Sequence, residues 1–169
     1  RQCVPLAGRC ASSAPCTPDA HEEDDALSST LPVLSEGTLD TLTMCMDPLS
    51  GQADPDWFRF VLGESSLVLL EIQFMHAQGD LDMRLRNAQN QVLDRSMSVT
   101  NDETIVACLS PGTYYLEVFT WDEDVTVPYS LVYETAPDSC CQADAWEPND
   151  DAANAIPVQS GDILDNLSI

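Results

Sequence analysis

The chain has 169 residues, 44% of them hydrophobic, and its 29 acidic residues against six basic ones give a formal net charge of −23 at pH 7. The length suits one domain with extra segments, and the apolar fraction is that of a globular protein. The acidic excess argues against nucleic acids and anionic membranes as partners, because both need positive patches, and it favours cations. No apolar stretch approaches the roughly 20 residues of a membrane-spanning helix, so we expect no membrane insertion.

An acidic stretch near the start of the chain, residues 19–25, occurs a second time at residues 144–150. Residues 16–44 align without a gap with residues 141–169, and eleven of the 29 aligned positions are identical. Such agreement indicates an internal repeat, and we expect the chain to be a piece of a longer protein. The predicted units are a linker or the end of a preceding module (1–18), a folded domain (19–135), a linker (136–143) and the truncated start of a second repeat (144–169).

Seven cysteines without zinc-ligand spacing indicate a secreted or cell-surface protein that contains disulfides, in an extracytoplasmic setting. The sequence leaves two pairings open for Cys45, one with Cys16 and one with Cys108. The adjacent pair Cys140-Cys141 is interpreted as one bond to each flanking domain rather than as a reactive site.

From residue 37 to residue 134, apolar and polar residues alternate in short runs between turns, which is typical of β-strands. The predicted strands are 38–44, 57–62, 66–75, 81–86, 92–95, 103–109, 113–120 and 129–134. Seven or eight such strands predict an all-β fold, an antiparallel β-sandwich of immunoglobulin-like or jelly-roll kind. We expect Trp57 and the alternating aliphatic residues to form the core between the sheets, and Ser110-Pro111-Gly112 to close a tight hairpin.

Short motifs in a fixed order carry a resemblance to a known family. They are Asp56-Trp57-Phe58-Arg59-Phe60, Gly79-Asp80-Leu81-Asp82-Met83, Pro111-Gly112-Thr113-Tyr114-Tyr115-Leu116-Glu117-Val118, Tyr129-Ser130-Leu131 and, in the second repeat, Glu147-Pro148-Asn149-Asp150. Together they resemble the bacterial pre-peptidase C-terminal domain, a secreted β-sandwich module that follows the catalytic domains of many extracellular peptidases and includes the collagen-binding modules of clostridial collagenases. The first acidic stretch departs from that pattern, because Glu23 and Asp24 stand where the family has Pro and Asn.

The first acidic stretch offers ligands for a divalent cation. Calcium takes six to eight oxygen ligands and tolerates irregular geometry, and Glu22, Asp24 and Asp25 supply several oxygens within four residues. The resemblance implies that the loop before Trp57 approaches this stretch and shares calcium with it. We therefore expect a Ca²⁺ site built from Glu22, Asp24, Asp25, Asp54 and Asp56, completed by backbone carbonyls or water, that clamps the N-terminal segment to the sandwich.

For the remaining aspartates and histidines that the sequence singles out, we expect roles in turns or at the surface. Asp80 and Asp82 are expected to accept backbone N–H bonds at a turn. His21 is either a further ligand or an exposed residue, and His76 is expected at the surface. The sequence contains no Gly-x-Ser-x-Gly, His-Glu-x-x-His or glycine-rich phosphate loop, so we do not expect an enzyme.

The resulting hypothesis is a non-catalytic, calcium-binding accessory module of a secreted or cell-surface multidomain protein, serving folding, positioning or adhesion. One alternative is the C-terminal extension of an extracellular peptidase. Another is a module that binds a carbohydrate or a collagen-like ligand through exposed aromatic residues such as Trp121 and Tyr133. The expected partners are a divalent cation, neighbouring domains of the same chain, and an extracellular protein or polysaccharide.

Overall fold

Alternating apolar residues form strands wherever one face of the chain is buried and the other is solvated. The computed structural model describes residues 19, 21, 27–28, 31–45, 55–122, 125–137, 140 and 157–160. The strands are β1 (Gly37–Met44), β2 (Asp56–Leu62), β3 (Ser66–Phe74), β4 (Asp82–Asn87), β5 (Val92–Ser96), β6 (Asp102–Leu109), β7 (Gly112–Phe119) and β8 (Val127–Pro137), with one 3-10 turn at His76–Gln78. None of the helices in these residues is long and apolar enough to cross a membrane.

The strands form two four-stranded antiparallel sheets, in the orders β1-β8-β3-β6 and β2-β7-β4-β5. Strand β1 pairs with β8, β2 with β7, β3 with β6 and β4 with β5. These are the pairs of one long hairpin rolled into two layers, which is a jelly roll. The predicted antiparallel β-sandwich is confirmed, and the jelly-roll form of it is the one observed.

The hairpin predicted at Ser110-Pro111-Gly112 is wrong. Strands β6 and β7 on its two sides belong to different sheets, so these residues carry the chain from one layer to the other. The sequence shows a tight turn there, but alternation of apolar residues does not reveal which sheet the next strand joins.

The core lies between the two sheets and is built from the inward side of each strand. The largest fully buried side chains include Phe60, Leu70, Ile72, Leu85 and Leu131. Phe60 packs against two tyrosine rings, with its centroid 5.5 Å from that of Tyr114 and 5.1 Å from that of Tyr133. Tyr133 is therefore a core residue, and its predicted exposure is wrong, because its position on β8 faces the opposite sheet.

Trp57 lies outside this core, contrary to expectation. It is buried on the outer face of β2, where it packs with Leu31 and Tyr115 in a separate cluster. The chain before β1 covers that face: Leu34 N–H donates to the Arg59 carbonyl at 2.6 Å, and Arg59 Nε donates to the Leu31 carbonyl at 2.9 Å. An outward-facing tryptophan is thus buried by a segment whose position alternation alone does not predict.

The two ends of the sandwich differ in their connections. At one end the links are short, comprising residues 63–65, 88–91 and 110–111. At the other end four longer links meet, comprising residues 45–55, 75–81, 97–101 and 120–126. We call this second end the acidic end, and the carboxylates discussed below lie there.

The structure excludes one of the two disulfide pairings that the sequence left open for Cys45. Cys108, near the end of β6, is bonded to Cys140, with Cα atoms 5.3 Å apart. Cys45 is disulfide-bonded to a partner outside the described residues. The Cys45–Cys108 alternative is therefore wrong: Cys45 follows β1 at the acidic end and Cys108 lies near the opposite end, too far for the roughly 6 Å between Cα atoms that a disulfide requires.

Candidate functional site

Seven carboxylates of the described residues lie at the acidic end, because each is in a loop or at a strand terminus that meets there. They are Asp19, Asp56, Asp80, Asp82, Asp102, Glu103 and Asp122. Within the described part of the chain, no three His, Cys, Asp or Glu side chains are grouped closely enough to hold a metal ion as they stand.

Of the five predicted calcium ligands, only Asp56 lies in the described part of the chain; Glu22, Asp24, Asp25 and Asp54 lie outside it. Asp56 is the first residue of β2, and its Oδ2 accepts a hydrogen bond from the Tyr129 hydroxyl. Asp56 faces inward, like Phe58 and Phe60 further along the strand. The calcium site predicted from the sequence stays a prediction.

Asp19, at the start of the first acidic stretch, is attached to the sandwich. Its carboxylate accepts hydrogen bonds from the backbone N–H of His21 at 2.8 Å and from that of Thr43 at 2.7 Å. Strand β1 is at the edge of its sheet, where outward N–H groups lack a neighbouring strand, so Asp19 satisfies one of them. His21 is exposed.

Asp80 and Asp122 connect two loops of the acidic end. Asp80 Oδ1 lies 3.0 Å from His76 Nδ1, and the backbone N–H of Asp80 donates to Asp122 Oδ2 at 2.9 Å. The expected backbone N–H bonds to the Asp80 and Asp82 carboxylates are not observed: Asp80 pairs with a histidine, and Asp82 accepts no hydrogen bond from a described residue. The residues between β3 and β4 are therefore held by the pair of Asp80 with His76 and by the Asp122 carboxylate from the β7–β8 link.

Asp82 is the most perturbed titratable group in the described part of the chain. Only 5% of its surface is exposed. Burial, and then the neighbouring carboxylates of Asp80, Glu103 and Asp122, raise the pKa of Asp82 to about 6, and Arg84 opposes the shift. Asp82 is in register with Phe119 of β7, so it lies on the outer side of its sheet.

Glu103 is also buried, but its hydrogen bonds are satisfied. Only 1% of its surface is exposed, and its carboxylate accepts the Ser98 N–H at 2.7 Å, the Ser98 hydroxyl at 2.5 Å and the Ser96 hydroxyl. Glu103 therefore ties the β5–β6 loop to the acidic end.

The outer face of the sheet β2-β7-β4-β5 carries an arginine and aromatic surface that the sequence analysis missed. The guanidinium of Arg84 lies 3.8 Å from the centre of the Phe119 ring. Glu117 accepts from Arg86 Nη2 at 2.7 Å and lies 3.5 Å from Arg84 Nη1. Trp121 packs edge-on against Phe119, with 72% of its surface exposed. The exposure predicted for Trp121 is confirmed.

This surface holds every arginine of the described residues, namely Arg59, Arg84, Arg86 and Arg95. The sequence signal that could have revealed this surface is the spacing of two of these arginines. Arg84 and Arg86 are two residues apart in an alternating strand, which puts them on the same face. Which aromatic rings these two arginines contact depends on how β4 pairs with β7 and how β7 pairs with β2. The sequence did not predict those registers.

Of the three comparisons with known proteins, the comparison with solved structures gives a match. No model of a known protein family matches the sequence, and no curated protein matches it. Among solved structures, the chain is similar to the pre-peptidase C-terminal domain of collagenase from Bacillus anthracis. That similarity has a TM-score of 0.48 and 15% sequence identity, and it covers 59% of this chain and 89% of that chain. That domain is of the family that the sequence motifs resemble.

Proposed function

We propose that the chain is a non-catalytic module of an extracytoplasmic multidomain protein, in which calcium at the acidic end holds the N-terminal acidic stretch against the sandwich. The ligands in this proposal are those predicted from the sequence: Glu22, Asp24, Asp25, Asp54 and Asp56. The role is mechanical. The ion fixes the direction in which the chain enters the module and therefore the position of the module that precedes it.

The observation that carries the proposal is the contact between Asp19 Oδ2 and the Thr43 N–H, at 2.7 Å. Thr43 is next to the last residue of β1, and the next strand along the chain, β2, begins at the same end with Asp56. The start of the first acidic stretch is thus anchored at the end of the sandwich where Asp56, one of the predicted ligands, lies. Leu31, buried beside Trp57 on β2, anchors the chain again beyond the stretch.

Charge and compartment support calcium over other cations. The predicted ligands are all carboxylates, and hard oxygen ligands suit Ca²⁺. The bond between Cys108 and Cys140 is expected outside the reducing cytosol, where calcium is about millimolar. With a Kd of roughly 10⁻⁴–10⁻³ M, as in other extracellular modules, such calcium stabilises the folded state by about 0.4–1.4 kcal/mol. That is enough to orient a segment and too little to decide the fold.

The test is limited proteolysis with a nonspecific protease, with and without millimolar calcium. We expect calcium to slow cleavage N-terminal to β1, and Asp25→Asn and Asp56→Asn to abolish that protection. Asp40→Asn, an exposed carboxylate change within β1, is the matched control and should keep it. Equal cleavage rates with calcium and with a chelator would refute the clamp.

A second candidate function is supported by the exposed indole of Trp121. An indole with 72% of its surface exposed, beside the Arg84 guanidinium at 5.6 Å, is suited to stacking on a sugar ring or a peptide. Trp121→Ala should then abolish retention of the protein on an immobilised polysaccharide or on collagen. Val99→Ala, which trims another exposed apolar side chain, is the control. Retention that is unchanged in Trp121→Ala rejects this candidate.

A further inference from the structure

Strand β3 is apolar on both of its faces over its first half. Its inward residues belong to the core, and Leu67 and Leu69, which alternate with them, lie half-buried on the outer face of the sheet β1-β8-β3-β6. Further along the strand the outward residues are Glu71 and Gln73. A strand with one solvated face alternates between apolar and polar residues, whereas a continuous apolar run is typical of a strand covered on both faces. The first half of β3 therefore has the composition of a strand whose outer face is covered.

The strands on either side of β3 extend this apolar surface. Val106 of β6 is in register with Leu69, and Ala136 of β8 is in register with Leu67. Residues in register on neighbouring strands lie on the same face of a sheet, so these four side chains form one surface, which we call the outer patch. Val106 has 56% of its surface exposed, so the described residues leave the outer patch uncovered on that side.

The disulfide between Cys108 and Cys140 lies at the border of the outer patch. Cys108 is in register with Leu67 and is two residues beyond Val106, so it is on the same face. The bond holds Cys140 there, with the Cα atoms of the two cysteines 5.3 Å apart. The part of the chain that follows Cys140 therefore begins beside the outer patch.

The first large apolar residue after Cys140 is Trp146, which lies outside the described residues. In the alignment of the two repeats it occupies the position of His21, which is exposed in the first repeat. An indole at an exposed position leaves a large apolar surface in water unless it has a partner outside its own repeat. Six residues of extended chain reach about 20 Å, and Val106 is only about 7 Å along β6 from Cys108. Trp146 can therefore reach the outer patch.

We propose that the indole of Trp146 packs on the outer patch and docks the second repeat against the first. The contact is small, but the tether at Cys140 makes it sufficient, because a short linker gives an effective concentration of about a millimolar. Two free chains would need about 800 Å² of contact on each partner, and the net charge of −23 on each chain opposes their association. The docking goes beyond the calcium clamp, since it orients the unit that follows the sandwich rather than the one that precedes it.

Limited proteolysis in a chelator tests the contact independently of the calcium clamp. We expect cleavage beyond Cys140 to be about three- to tenfold faster in Trp146→His, which introduces the residue of the first repeat, than in the wild type. Val106→Lys adds a charge to the outer patch on an edge strand, where lysine is well tolerated, and should accelerate cleavage to the same extent. The double variant should be cleaved no faster than either single variant, because both substitutions remove one contact.

The matched control is Val99→Lys, because Val99 is 77% exposed on the link between β5 and β6. This variant should be cleaved beyond Cys140 at the wild-type rate. Equal rates in the wild type and Trp146→His would overturn the proposal, and this result does not depend on the folding of Val106→Lys. Faster cleavage in Trp146→His, together with a wild-type rate in a Val106→Lys protein of unchanged circular dichroism, would also overturn it, because the indole would then pack elsewhere.

Sedimentation separates the proposed contact from one between two chains. We expect the wild type to sediment as a single chain, and a mass of two chains that falls to one in Val106→Lys would assign the outer patch to a second copy instead. Calcium protection N-terminal to β1 should be unchanged in Trp146→His and in Val106→Lys. Cleavage at the two ends of the chain is scored separately, so the failure of the clamp is distinguishable from the failure of this contact.

Discussion

The titration of Asp82 links one residue to the stability of the whole domain. Its pKa is raised from 3.8 to about 6 in the folded state, so between these values the folded protein binds more protons than the unfolded chain. The free energy of unfolding therefore falls as pH rises through this window. In a chelator, we expect the wild type to lose about 1–3 kcal/mol relative to Asp82→Asn between pH 4 and pH 7, measured by urea denaturation. Parallel pH profiles for the two proteins would contradict the raised pKa.

The sequence did not reveal this residue, for a physical reason. Asp82 alternates with Leu81 and Met83 as any outward strand residue does, and the sequence predicted a carboxylate that accepts backbone N–H bonds at a turn. Asp82 pairs in register with Phe119 of β7, and, after burial, the carboxylates of Asp80, Glu103 and Asp122 raise its pKa. Apart from Asp80, these neighbours are distant along the chain, and local alternation carries no information about them.

At the scale of elements, the link between β3 and β4 depends on a glycine. Gly79 has φ +151°, and a Cβ built on it lies 2.5 Å from Val127 Cγ2, so the link packs closely on the start of β8. Gly79→Ala adds both strain and a clash, and should lower the free energy of unfolding by about 1–3 kcal/mol. Gly63→Ala, where a Cβ meets nothing within 4 Å, is the control in the same denaturant titration. Equal losses in the two variants would show that this packing is unimportant.

The bounds of the strands were largely predictable from the sequence, whereas the segments that pack beside each strand were not. Strand β3 was predicted at residues 66–75 and observed at Ser66–Phe74, because its alternating aliphatic residues have no other stable arrangement. The placement of Trp57 was wrong because the chain near Leu31 covers the outer face of β2. Of the candidate site, the sequence predicted the exposed Trp121 but not the Arg84 guanidinium beside its indole, and the role of Asp56 as a calcium ligand stays a prediction.

At the scale of the whole molecule, the Cys108–Cys140 disulfide and the acidic loops lie at opposite ends of the jelly roll. The bond between Cys108 and Cys140 spans 32 residues and fastens the chain beyond β8 to β6, at the end with the short links. Closing a loop of that size stabilises the folded state by about 2–4 kcal/mol, and the whole domain benefits because β8 lies between β1 and β3.

Replacing both cysteines by serine should therefore lower the urea midpoint under non-reducing conditions without changing the fold seen by circular dichroism. The loss belongs to this bond alone, since Cys45 has a different partner and its bond remains in the variant. A non-reducing peptide map of the wild type should contain one species that joins the Cys108 and Cys140 peptides. A urea midpoint equal to that of the wild type would contradict the stabilising role of this bond. A peptide map that joins Cys108 to Cys45 would contradict the pairing itself. Calcium protection of the N-terminal segment should survive in the variant, because the clamp and the disulfide act at opposite ends of the sandwich.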